Sequence, residues 1–144
     1  MHMVMRLYRA CYYLHIRKMR LMAKLFWIIN RVVFSCDIGV GASIGRDVGF
    51  FHNGLGVVIH PRTKIGSGCS IYQNVTIGGN GKTGVLNGVP EIGNNVFIGA
   101  GAVLIGPIKV GDGAIIGANA VVNFDVPAKA VVVGGVGKIV SKSL

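Results

Sequence analysis

The sequence predicts an all-β solenoid, a parallel β-helix preceded by a short α-helical segment. Three observations carry that reading. Aliphatic residues recur every six positions from Ile38 to Val122, and a small or β-branched residue follows four places after nearly every one of them. All 23 glycines of the 144-residue chain fall between Gly39 and Gly137.

The segment before residue 37 is helical by pattern. Arg6, Arg9, Tyr13, Arg17, Arg20 and Lys24 are spaced by three or four, while Leu7, Cys11, Leu14, Leu21, Leu25 and Ile28 run along another face. That periodicity describes one amphipathic helix or two in series. Residues 1–36 carry seven of the fifteen bases and none of the five acids, so most of the net charge of +10 belongs to this segment. A basic amphipathic helix has two readings. It caps the exposed end of the next module with its charges solvated, or it lies on an anionic membrane surface. The apolar run Leu25–Ile29 argues against a simple nucleic-acid arm.

From residue 37 onward the unit is a hexad. Ile38 and Ile44, then Ile59, Ile65, Ile71 and Ile77, then Ile92, Ile98, Leu104, Val110, Ile116 and Val122 form three phased blocks. Ala42, Val48, Thr63, Cys69, Val75, Val96, Ala102, Ile108, Ala114, Ala120 and Val126 take the second inward position. One large and one small inward side chain per six residues suits flat walls of short strands, with glycine at corners where φ turns positive. A period of six does not fit an α-helix. The solenoid's open end needs a cap against edge pairing, which gives the helical segment a task.

Length and composition exclude several classes. A chain of this size defaults to one domain, here divided into the helical segment 1–36 and the repeat region 37–144. Apolar residues at 51%, charged residues at 14% and a mean hydropathy of +0.60 are too apolar for disorder. No apolar run approaches the roughly 20 residues of a membrane span, and no secretory signal is visible. Cys11, Cys36 and Cys69 lack a CxxC spacing and read as reduced, structural thiols, so the expected location is the cytoplasm, with attachment to the inner face of the membrane as the variant.

Function is sought where the repeat breaks. The first break, from Ile44 to Ile59, places its excess in Gly49–Gly56 and holds His52. A neutral imidazole suits general-base work on a hydroxyl, because its pKa lies near the operating pH. Asp37 could orient that ring from a neighbouring coil. From spacing alone, a surface histidine and a solvated acidic cap are equal alternatives. His60, on the regular wall before Pro61, reads as structural. Two histidines in the repeat region cannot build a three-histidine zinc site, and no metal is expected. The second break, Gly78–Glu91, contains Gly81-Lys82-Thr83, but Thr76 stands where a phosphate loop needs glycine. A projecting loop offering Lys82 to an anionic ligand is the reading kept.

With those residues in view, the chain resembles the left-handed β-helix hexapeptide acyltransferases, and among them the serine acetyltransferases. The likeness rests on Asp37-Ile38, Ile44-Gly45, His52, Gly56-Val57-Val58-Ile59, Asn74-Val75-Thr76-Ile77-Gly78-Gly79 and Ile98-Gly99-Ala100-Gly101-Ala102. It implies a homotrimer of triangular prisms whose active site lies between subunits, with acetyl-CoA along the groove. It implies further that Asp37 and His52 form the catalytic pair, that the cofactor passes Ala100 and Ala118 beside Asn123, and that Lys138 faces the CoA phosphates. Direct transfer to a hydroxyl of a small acceptor follows, with L-serine first.

The chain departs from the family at several places. Phe51 replaces the acid before the catalytic histidine, and Val89 replaces a second histidine before Pro90. Glycine follows His52 at the fourth place rather than the third, and Gly135-Val136-Gly137 replaces Val-Pro-Ala. A zwitterionic acceptor loses polar partners by these changes, so a sugar or polysaccharide hydroxyl is the alternative. A non-catalytic β-helix that assembles or binds surfaces is the alternative of another class.

Overall fold

The computed structural model describes residues 3–83 and 88–135. Fourteen short strands among them form three parallel walls, visited in rotation. The first wall holds β1 (Asp37–Ile38), β4 (Val58–Ile59), β7 (Thr76–Gly78), β10 (Val103–Ile105) and β13 (Val121–Val122). The second holds β2 (Ser43–Ile44), β5 (Lys64–Ile65), β8 (Glu91–Ile92) and β11 (Lys109–Val110). The third holds β3 (Gly49–Phe50), β6 (Ser70–Ile71), β9 (Phe97–Ile98), β12 (Ile115–Ile116) and β14 (Val131–Val132).

Each hexad makes one wall and one corner. The register stacks Ile38, Ile59, Ile77, Leu104 and Val122 in one inward column, at the strand spacing of roughly 4.8 Å per coil. Of the twelve aliphatic positions all but Ile44 are buried, and all eleven residues of the second inward set are buried. Phe50 fills the hexad place after Ile44 and is fully buried. The first break therefore begins after Phe50. A further irregularity falls after Val122, because Val126 bridges Val110 on the second wall after four residues instead of six.

Glycine serves the fold mainly by close approach rather than by positive φ. The glycine after each inward aliphatic keeps an ordinary φ at Gly45, Gly66, Gly93 and Gly99. A Cβ on Gly66 would meet the Gly93 carbonyl oxygen at 2.4 Å. The left-handed corners fall three places after the aliphatic, where Asp47, Asn74, Asn95 and Asn119 adopt φ between 55° and 60°. Asn and Asp tolerate this conformation better than other non-glycine residues.

The leading segment forms two helices, α1 (Met3–Ile16) and α2 (Arg20–Phe34), broken at Lys18 with φ 60°. Val4, Met5 and Tyr8 of α1 join the core at the first coil, and the Tyr8 hydroxyl donates to the Ala42 carbonyl. The Asn30 side-chain amide donates to the Val4 carbonyl at 3.2 Å and ties α2 to α1. The helical pair thus covers the end of the column, as the capping reading expects. Its buried face differs from the expected one. Ala23 and Asn30 of α2 point inward, whereas Leu21, Leu25 and Ile28 are exposed. The break at residues 17–19 resets the helical phase, so a face followed through it does not stay on one side. No described helix is long and apolar enough to cross a membrane.

Candidate active site

His52 stands on a turn the hexad cannot accommodate. Nine residues rather than six separate Phe50 from Ile59, and the extra length forms a 3-10 turn over Phe51–Gly54. His52 and Asn53 both adopt φ 53°, which throws their side chains outward. Asn and His are among the non-glycine residues that tolerate this conformation best. The turn is pinned by Leu55 N–H to the His52 carbonyl at 3.2 Å and Val57 N–H to the Gly54 carbonyl at 2.9 Å. Gly54 packs on Cys36, where a Cβ would lie 2.9 Å from the sulfur.

The His52 imidazole is exposed and borders an aromatic platform. Its ring centroid is 6.4 Å from Tyr72. Phe51 stacks on Tyr72 at 4.5 Å and 8°, and Tyr72 meets Phe97 at 5.1 Å. Periodicity alone shows none of this, because aromatic residues on the outer face obey no hexad rule.

Asp37 begins β1 and is held from α2. Trp27 Nε1 donates to Oδ1 at 2.9 Å, and Arg31 Nη1 lies 3.1 Å from Oδ2. The Arg31 guanidinium sits 5.2 Å above the Trp27 ring. Within one chain no hydrogen bond joins Asp37 to His52. Asp37 instead lines a cleft of about 600 Å³ with Lys24, Trp27, Val58, His60 and Gly78.

His60 is not on the wall, as the sequence suggested, but at the corner directly after β4, and it lines the same cleft. Its Nδ1 accepts the Arg62 N–H at 3.1 Å, and burial, assisted by the Arg62 charge, lowers its pKa from 6.5. Sequence reasoning had no signal for Trp27 or Arg31 here. His60 did carry one, since it follows an inward isoleucine and so begins a corner.

The residues expected along the cofactor lie on later coils. Ala100 and Ala118 stack at one corner between the third and first walls, where Asn119 N–H donates to the Ala100 carbonyl at 2.9 Å. Ala118 is exposed and Ala100 half-buried. Asn123 is exposed at the opposite edge of the first wall, after β13, so it does not share their corner. Lys82 is exposed on the loop leaving β7, with its N–H bonded to Asn80 Oδ1 at 3.2 Å. Lys138 lies outside the described residues. The three cysteines are free and buried, and burial pushes the Cys36 thiol up to about 12 with the help of Asp37. Such thiols are poor nucleophiles. Among the described residues no group of three metal-ligating side chains assembles.

The profile "Bacterial transferase hexapeptide (six repeats)" matches residues 90–123. A serine acetyltransferase of Helicobacter pylori strain 26695 is 42% identical over 136 residues, covering 94% of this chain and 78% of the relative. The chain belongs to the serine acetyltransferase family. A serine acetyltransferase of Mycobacterium tuberculosis H37Rv is also 42% identical over 136 residues, covering 58% of its own length. The solved soybean apoenzyme superposes with a TM-score of 0.86 at 39% identity, over 92% of this chain and 54% of that one. A serine acetyltransferase solved in complex with CoA superposes at 0.82 with 35% identity, over 91% and 52%. The chain thus spans about half the length of these solved relatives. The three-walled column is a left-handed parallel β-helix with a short helical segment before it.

Proposed function

We infer that the chain transfers the acetyl group of acetyl-CoA to the hydroxyl of a small acceptor, L-serine first. The observation that carries this reading is an exposed imidazole on the first interruption of a column that belongs to the serine acetyltransferase family. His52 takes the acceptor's hydroxyl proton as the oxygen attacks the thioester carbonyl carbon. The tetrahedral oxyanion collapses, the C–S bond breaks, and the imidazolium returns its proton to the departing thiolate. The products are an acetyl ester and free CoA thiol, and no acyl-enzyme forms.

Asp37 is the acid of the pair in this reading. An ionised carboxylate offers about four acceptor positions, and Trp27 and Arg31 use one on each oxygen. Capacity remains for an imidazole N–H. A homotrimer with the site completed between subunits is part of the proposal, as is acetyl-CoA passing Ala100, Ala118 and Asn123 with Lys82 and Lys138 toward its phosphates. A cytoplasmic location belongs to it too, since the substrates are soluble metabolites.

One observation favours a second acceptor class. Phe51, stacked flat on Tyr72 beside His52, offers an apolar aromatic face rather than a charge. Such a face suits the C–H side of a sugar ring better than an amino-acid zwitterion.

The test is thiol release from acetyl-CoA across L-serine, other hydroxy amino acids and a sugar panel. Release with L-serine that disappears in His52→Ala supports the proposal. Release with sugars alone selects the second reading, and none with any acceptor leaves a non-catalytic β-helix. His60→Ala separates the two imidazoles: loss there with retention in His52→Ala would move the base to the cleft.

A further inference from the structure

The outward face of α2 is apolar where a solvated helix would be polar. Leu21, Leu25, Ile28 and Val32 repeat at spacings of four, three and four, and Leu21 and Val32 are 87% and 74% exposed. At 100° per residue they centre roughly 180° from Ala23 and Asn30, which face α1. Ile16, Met19 and Met22 extend the exposed apolar surface around the α1–α2 turn. Arg17, Lys18, Arg20 and Lys24 interleave with it, and all four are exposed. Lys18, Arg20 and Lys24 form no ion pair among the described residues.

We propose that α2 and the α1–α2 turn seat on an anionic lipid bilayer, with the Leu21–Val32 stripe entering the acyl boundary and Lys18, Arg20 and Lys24 at the headgroups. Charge complementarity selects this occupant. The 4-3-4 spacing would also suit a seam with a second copy. A self-paired seam, however, would bring Lys24 of two copies beside one another with no acid in residues 1–36 to answer it, the nearby Arg31 being already paired with Asp37. A nucleic acid would neutralise the bases and leave the aliphatic stripe in water. A negatively charged lipid surface satisfies both the bases and the stripe. α2 is too short to span, so the contact is interfacial.

The experiment is flotation of the full chain with phosphatidylcholine vesicles and with vesicles containing phosphatidylglycerol, at low and high salt. The expected result is partition onto the anionic vesicles at least about tenfold above the neutral ones, weakened by salt. Leu21→Ser with Leu25→Ser and Val32→Ser, and separately Lys18→Gln with Arg20→Gln, should each reduce partition about tenfold or more. Circular dichroism and sedimentation velocity of both variants should match the unsubstituted chain. Equal binding to both vesicle types, or none to either, overturns the proposal. So does a serine variant that dissociates an oligomer while the unsubstituted chain ignores vesicles, which makes the stripe an interface between copies. Capture of a DNA duplex without vesicle binding overturns it as well. The lipid and salt comparison on the unsubstituted chain decides the matter even if a variant misfolds.

Discussion

The β-helical column and the helical pair that caps it handle their apolar residues in opposite ways. In the column nearly every inward residue stacks on another inward residue one coil away, so burial within one chain is complete at all but Ile44 of the twelve aliphatic positions. In α2 the inward positions are Ala23 and the polar Asn30, while Leu21, Leu25 and Val32 face out. The difference shows that repetition suffices for a closed core, whereas a helix on its end buries one stripe and leaves the other exposed.

Chemistry should divide along the same line. His52→Ala should lower kcat by about 10²–10⁴, measured by thiol release, with circular dichroism unchanged; a rate near that of the unsubstituted protein would remove the column's turn from the reaction. Ile98→Ala, at a fully buried column position, should cost about 2–5 kcal/mol in urea unfolding. Leu21→Ala should stay within about 0.5 kcal/mol. If the helix change proved the costlier, the outward stripe would already be covered in solution.

Gly66→Ala places a methyl group against the Gly93 backbone and should cost about 1–3 kcal/mol in the same measurement. Tyr8→Phe removes the buried hydrogen bond to the Ala42 carbonyl that ties cap to column, with an expected loss of about 1 kcal/mol. The smallest effect is on the second wall. Lys64 Nζ lies 2.8 Å from Glu91 Oε1, and that hydrogen bond and charge hold the Glu91 carboxyl below its ordinary 4.5. A depressed carboxyl stabilises the fold above its unfolded value, and the contribution disappears as pH falls through the folded one. Glu91→Gln should therefore flatten the acid limb of an unfolding free energy against pH curve by less than about 1 kcal/mol, since the pair is exposed.

The column was legible because each inward residue repeats a physical demand six places on. The corners were legible too, had the third place after each aliphatic been followed: Asp47, Gly68, Asn74, Asn95, Gly101 and Asn119 all stand there with positive φ. Glycine at positive-φ corners is present as expected at Gly41, Gly68, Gly101 and Gly113, whereas the close approach made by the glycine after each aliphatic leaves no mark on local spacing. His52 was found by the broken period. The clamp of Trp27 and Arg31 on Asp37 was not, since it joins a helix to a strand with no pattern connecting them. The helix phase was lost at Lys18, a left-handed residue that sequence spacing cannot flag.

The backbone contact at Gly66 and Gly93 restricts how such a protein can lengthen. Coils that touch this closely must remain in step, so between Gly66 and Gly93 the column gains material most simply in whole circuits of roughly eighteen residues, and the two-residue shortening after Val122 falls only at its last coil. An added increment that is not a whole circuit leaves the column sideways as a projection, and the turn bearing His52 is one such remainder of three.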